Sequence, residues 1–227
     1  MAPDRYPAVL FRAVTKSYGP VRALSTLDLC VAAGSFVALT GGNGTGKSTV
    51  LRLAGGLSRP DAGVVRVDGW DPRTAPPRLR GRVGLLTHDS GLYPDLTVRE
   101  NLVLHGRLFR TPAGAVPDMV EALDLGAPLN RPVRELSRGT RQRAALARAL
   151  LHGPDIVLLD EPYTGLDAGA VARLTALLAR ILSDGATIIA ALHDLTPVDG
   201  VRTRLVELAA GRIHRDVPNP VAVQVGP

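Results

Sequence analysis

Nine consecutive residues carry the types and spacing that bind phosphate: Gly41, Gly42, Asn43, Gly44, Thr45, Gly46, Lys47, Ser48 and Thr49. The first eight fit G-x-x-x-x-G-K-[ST] in full and Thr49 follows, after an apolar strand (Phe36 to Leu39) and at the opening of a helix. Glycines let backbone N–H groups approach phosphate oxygens, and the helix N-terminus adds partial positive charge. Lys47 brings a point charge for the β- and γ-phosphates, and the Ser48 hydroxyl is suited to Mg²⁺. A second constellation is Ile156 to Glu161, I-V-L-L-D-E. An apolar strand there delivers two acids at its C-terminal end, where open α/β sheets hold ligands. Asp160 is expected to hold Mg²⁺, and Glu161 to polarise an attacking water as general base.

The surrounding elements must bring these two stretches together. Residues 8 to 40 read as short strands, with turns at Gly19-Pro20 and Ala33-Gly34. A helix follows over 46–55, and strands over 64–69 and 82–88. Between about 90 and 150 the pattern becomes helical. Thr97 to Phe109 has Val98, Leu102, Leu104 and Leu108 near helical spacing, Asp118 to Leu125 reads as a second helix, and Ser137 caps a long Arg/Ala/Leu helix ending near Gly153. The strand of Asp160 comes next, then a helix over 168–183 and strands over 187–193 and 204–208. Strand–helix alternation around a helical insert predicts an α/β core with a helical subdomain.

A third motif, L-S-R-G-T-R-Q-R (Leu136 to Arg143), places a serine hydroxyl and free N–H groups at a helix N-terminus, an arrangement that favours anions. Together the three motifs resemble the ATP-binding cassette (ABC) superfamily, whose signature reads L-S-G-G-Q. Ser137 and Gly139 match it, whereas Arg138 and Thr140 replace a Gly and the Gln. The resemblance covers about residues 8 to 215. It implies a P-loop NTPase core (8–88 and 155–215) with an antiparallel β subdomain and an inserted α-helical subdomain (about 89–153), all in one domain spanning 1–227. It implies ATP and Mg²⁺ as ligands, and Lys47, Glu161 and His193 as the catalytic set. Tyr18 looks like the aromatic on which adenine stacks, and His193 like the switch histidine at the γ-phosphate. Thr164 to Asp167 resembles the loop that links two active sites. His88 stands where the family places a metal-contacting glutamine, which marks it as a further metal ligand candidate and a departure from the pattern.

The resemblance further implies a homodimer or paired cassettes that close over two MgATP molecules. Ser137 and Gly139 of one chain would then meet the nucleotide bound by Gly41 to Thr49 of the other. It also implies separate integral membrane subunits, met by a surface near residues 88–110 that includes Leu92, Tyr93 and Leu96. The chain would then work at the cytoplasmic face of the membrane as a peripheral subunit. The loops resemble haem-exporter cassettes of cytochrome c biogenesis, with multidrug and antibiotic-resistance exporters as the first alternative and a soluble nucleic-acid-associated ABC ATPase as the second.

Composition narrows the choices. The 227 residues are 45% apolar and 21% charged, enough for a sizeable core, and no apolar run approaches the ~20 residues of a membrane helix. The M-A-P-D-R-Y-P start gives no expectation of a secretory leader. A single cysteine, Cys30, cannot form an internal disulfide or a zinc site. The net charge of +6 comes from 25 scattered arginines and two lysines, Lys16 and Lys47, so nucleic acid is not expected as a partner. Long heptad repeats and a second cassette, the marks of soluble relatives, are absent from this sequence.

Overall fold

The computed structural model describes residues 7–218. Met1 to Tyr6, which carry most of the start expected to hold no leader, lie outside it. In chain order the elements begin with β1 (Val9–Tyr18), β2 (Val21–Val31), β3 (Phe36–Thr40), α1 (Lys47–Ala54), β4 (Ala62–Val67), α2 (Pro77–Arg80) and β5 (Val83–Leu86). A helical stretch follows, with α3 (Val98–Phe109), α4 (Ala115–Ala122) and α5 (Arg138–Leu150). The chain then returns to β6 (Ile156–Asp160), α6 (Ala168–Ser183), β7 (Thr187–Ala191), β8 (Thr203–Ala209) and β9 (Arg212–Val217).

Two sheets form. One is antiparallel, ordered β2-β1-β4; the other has six strands, ordered β5-β6-β7-β3-β8-β9. Within the second, β5, β6, β7, β3 and β8 run parallel, and β9 pairs antiparallel with β8. Strands β3, β6 and β7 are apolar throughout except at their ends, because both faces of a central parallel sheet are covered. Their side chains alternate between two cores. Phe36, Ala38, Val157, Leu159, Ile188 and Ala190 pack toward α3, α5 and α6, with Leu102, Leu146 and Leu174. Val37, Leu39, Leu158, Ile189 and Ala191 pack toward α1 and the antiparallel sheet, with Phe11, Leu27 and Leu51.

The α/β core with an antiparallel sheet and a helical insert is thus the fold that forms. Several local expectations shift. Val98 and Leu102 are buried on α3, but Leu104 and Leu108 are exposed. Helix α4 starts at Ala115, earlier than Asp118, because Pro117 is tolerated in a first turn; it ends at Ala122, and Leu123 and Leu125 are buried beyond its end. The strand expected to end at His193 ends at Ala191, so His193 lies in the following loop. The one-turn α2 and the polar edge strand β9 were not anticipated from the sequence.

Candidate functional site

The phosphate loop runs from the end of β3 to the start of α1. Its backbone needs glycine at specific points. Gly41, Gly44 and Gly46 have φ of 127°, 74° and 109°. A Cβ on Gly41 would lie 2.2 Å from the Leu208 carbonyl oxygen, and one on Gly46 would lie 2.7 Å from that of Ala23. Gly46 is also the N-cap of α1, and no side chain caps that end, so its N–H groups remain free for an anion. Gly42, Asn43 and Gly44 are exposed, and Thr45 donates its hydroxyl to the Gly42 carbonyl over 2.9 Å.

Lys47 folds back over this loop. Its Nζ donates to the carbonyls of Gly41 (2.7 Å) and Gly42 (2.8 Å), and the residue is only 6% exposed. Burial lowers its pKa, partly offset by the charges of Glu161 and Asp160. The latter influence is itself informative: residues more than 110 positions apart in sequence share one electrostatic environment.

The Ser48 hydroxyl donates to Asp160 Oδ1 over 3.1 Å. Asp160 is 8% exposed, and burial pushes its carboxyl above the usual carboxylate range, against the Ser48 hydrogen bond. A hydroxyl and a buried carboxylate are hard oxygen donors, so these two residues fit Mg²⁺, which would neutralise phosphate charge there. Thr49 is buried behind them in α1. His88 is exposed, and its charge favours the ionised form of Asp160, yet it makes no hydrogen bond to Asp160 or Ser48. Among the described residues no group of three or more His, Cys, Asp or Glu side chains is placed to hold a metal. His88 therefore has proximity to the site and no ligand cluster around it.

Glu161 follows Asp160 with φ of 50°, a left-handed conformation that is uncommon without glycine. One carboxylate oxygen lies 2.7 Å from His193 Nε2, and the other accepts from the Thr164 hydroxyl over 3.3 Å. Burial pushes the Glu161 pKa up, but the hydrogen bond and charge of His193, with Thr164 and Lys47, outweigh it and leave the carboxyl below its ordinary range. Both side chains stay partly open to solvent, as a base that must meet water requires. Tyr163, Thr164, Val171 and Pro197 join them around a cavity of about 250 Å³.

The third motif lies at the N-terminus of α5. Ser137 is its N-cap, accepting from the Thr140 N–H over 3.3 Å and donating to the Thr140 hydroxyl over 2.9 Å. Threonine thus partners the cap where the resembling family has glutamine. A Cβ on Gly139 would lie 2.5 Å from the Gly165 carbonyl oxygen, so this glycine permits α5 to touch the Thr164–Asp167 loop. None of the hydrogen bonds of Ser137 reaches residues 41–49, and Ser137 is exposed. Within one chain the first two motifs meet, and the third has its Ser137 end exposed while its Gln142 reaches the Glu161 main chain.

Tyr18 ends β1 with 45% exposure, its hydroxyl 3.5 Å from Ser58 Oγ and its ring beneath the Lys16 ammonium at 5.3 Å. An exposed ring of this kind suits a stacking role. Two contributors were missed by sequence reasoning. Gln142 links α5 to the Glu161 loop, and buried Asn101 holds the 93–97 loop by bonds to Tyr93, Leu96 and Thr97. Gln142 lies in the Q-R pair that closes the third motif but carried no expected role; nothing in the sequence marked Asn101.

Residues 24–164 match the family model described as ABC transporter. The chain belongs to the ABC transporter family. It is an ATP hydrolase of the type coupled to transport. Among its relatives, the Nod factor export ATP-binding protein I of Paraburkholderia xenovorans is 39% identical over 96% of this chain and 74% of its own length. The sulfate/thiosulfate import ATP-binding protein of Mycobacterium tuberculosis is 36% identical over 97% of this chain and 64% of its own length. Among solved structures, the dimeric form of a bacterial ABC transporter cassette superposes with a TM-score of 0.83 at 28% identity, over 92% of this chain and 97% of that one. A post-hydrolysis dimer of that cassette bound to ADP and Pi gives 0.83 at 29% identity, over the same shares. These relatives are named for Nod factor export and sulfate import, so they lend no support to the expected haem-exporter kinship. No helix among the described residues is long and apolar enough to cross a membrane.

Proposed function

We propose that this cassette is the motor of an exporter, working in pairs against separate integral membrane subunits at the cytoplasmic face of the membrane. The observation that supports it most is the convergence at the C-terminal ends of β3, β6 and β7 of Lys47, Ser48, Asp160, Glu161 and His193, with the Ser137 end of the third motif exposed.

In this reading the Gly41–Thr49 backbone and Lys47 hold the phosphates of ATP, and Tyr18 stacks on adenine. Lys47 must exchange its two carbonyl partners for phosphate oxygens, so the loop is charged with its own cation before substrate arrives. Ser48 and Asp160 would hold Mg²⁺. Glu161, kept ionised by His193 and Thr164, accepts a proton from the attacking water. His193 orients that carboxylate and faces the γ-phosphate. Ser137 and Gly139 meet the nucleotide held by the other cassette, so the terminal phosphate is gripped on both sides only when the pair is shut, and its loss favours opening.

The membrane partner meets the 88–110 surface, where Tyr93 of the expected trio is exposed, Leu92 and Leu96 are half-buried, Leu104 and Leu108 add exposed apolar side chains, and Asn101 fixes the 93–97 loop. Export is the direction we propose, because the exporter relative is matched over the larger share of its own length. The cargo is the finer question: the loops resemble haem exporters, and the relatives carry other cargoes. Isolation of the tagged chain from membranes tests the reading. The expected result is a co-purifying multi-span membrane protein and any bound haem; a chain recovered only with nucleic acid, whose ATPase activity DNA or RNA stimulates at physiological salt, would contradict it.

A further inference from the structure

The Gln142 carboxamide is the side chain of α5 that reaches the loop after β6. Its Nε2 lies 3.1 Å from the Glu161 carbonyl oxygen and 3.2 Å from that of Pro162. Both partners can only accept, so the amide donates both of its hydrogens. Glu161 needs such support, because a left-handed non-glycine backbone, with φ of 50°, is unfavourable and persists when its surroundings hold it. Its N–H donates to the Ala191 carbonyl over 3.1 Å, and its carbonyl also accepts from the Thr164 N–H over 3.2 Å. Gln142 is the one partner in this set that comes from the helical insert.

Ser137 and Gly139 lie at the N-terminus of α5, about one turn before Gln142. Gly139 sits against Gly165, and the Arg138 stem packs over Gly165 as well. The outward-facing anion site and the Glu161 backbone are therefore parts of one packed unit.

We propose that Gln142 is a positioning residue for hydrolysis. Its two hydrogen bonds hold the Glu161 main chain where the carboxylate meets His193, and they bind that orientation to the seating of the α5 N-terminus. The proposal rests on Glu161 being the general base. Because α5 would be engaged by the nucleotide of the other cassette, the grip on one ATP sets the base that serves the second. Gln142 transfers no proton and touches no substrate.

The test is ATP hydrolysis by the full chain carrying Gln142→Ala or Gln142→Glu, each alone and combined with Glu161→Gln. Glutamate keeps the size of the side chain and turns its donors into acceptors facing two carbonyls. Each single change is expected to lower kcat on the order of tenfold, with the KM for ATP essentially unmoved. In the Glu161→Gln background neither change should slow the residual single-turnover rate further, since a residue that acts only through Glu161 has nothing left to position. An unchanged kcat in both variants, a loss confined to KM, or an equal further loss without Glu161 would overturn the proposal. If Glu161→Gln alone turned over like the wild type, the general-base reading would fail first, and the positioning role with it.

Discussion

Lys47 is one of two lysines among 27 cationic residues, and it is the buried one held against the carbonyls of its own loop. Lys47→Ala should weaken nucleotide binding by tenfold or more, on the order expected for a charge-assisted phosphate contact, with the fold intact. Calorimetric titration with ADP or ATP measures this, and unchanged affinity would refute the phosphate assignment. Gly139 makes a separable prediction. An added methyl group would meet the Gly165 carbonyl at 2.5 Å, so Gly139→Ala should spare nucleotide binding by the single chain and impair ATP-dependent pairing. Pairing equal to wild type would mean that α5 and the Thr164 loop can part without cost. For His88, which touches the site only through its charge on Asp160, replacement by Gln is expected to preserve or raise ATPase activity. Complete loss would give this imidazole a specific role. The individual chemistry was legible in sequence because phosphate and metal sites demand particular side chains in short contiguous runs. Gln142 acts through main-chain carbonyls 19 and 20 residues along the chain, and Asn101 through the main chain of a loop four to eight residues before it; neither pairing leaves an apolar period to read.

Elements with strong apolar patterns stood out before the fold was known. The strands β3, β6 and β7 are unbroken apolar runs, and α6 has a capping Asp167 whose carboxylate accepts from the Ala170 N–H over 2.8 Å. The α2 turn buries no side chain, and β9 is a polar edge strand with one bonded neighbour, so neither had an apolar face to announce it. The junction of α3 and α5 with β5 holds a different device. His105, Phe109 and His152 stack in sequence, with centroids 4.7 and 4.2 Å apart. Beside them Arg148 donates to the carbonyls of Leu85 (2.8 Å) and Ser90 (3.1 Å), and so anchors the loop that carries His88. Burial, with the charges of Arg148 and His152, brings the His105 pKa down to about 4. Burial lowers that of His152 too, and its Nδ1 has no hydrogen-bond partner. The unfolded chain binds a proton near pH 6.5, whereas folded His105 resists it until about pH 4. Stability should therefore fall as pH drops through that window, because the unfolded state gains protons first. Melting temperatures at pH 7 and pH 5 should show a smaller drop for His105→Leu than for the wild type. An identical drop would mean that this ring does not carry the linkage.

At the scale of the whole molecule, two cores on opposite faces of the six-stranded sheet fix its parallel strands, and the strand ends hold the chemistry. The antiparallel sheet carries Tyr18 on one side, and the helical insert carries Ser137 on the other. On the proposed reading one chain supplies two different halves of a nucleotide site, and no hydrogen bond of Ser137 reaches residues 41–49 within it. The core with its helical insert was readable from the order of motifs together with the family resemblance, whereas cargo was not, because on this reading the chain need never touch what is moved. The most direct measurement of the central claim is the molecular mass of the Glu161→Gln protein by gel filtration with light scattering. With saturating MgATP it should run at twice the monomer mass and hydrolyse ATP far more slowly than the wild type, and with ADP it should return to the monomer. A protein that binds ATP yet stays monomeric, including when its membrane subunits are supplied, would contradict the account.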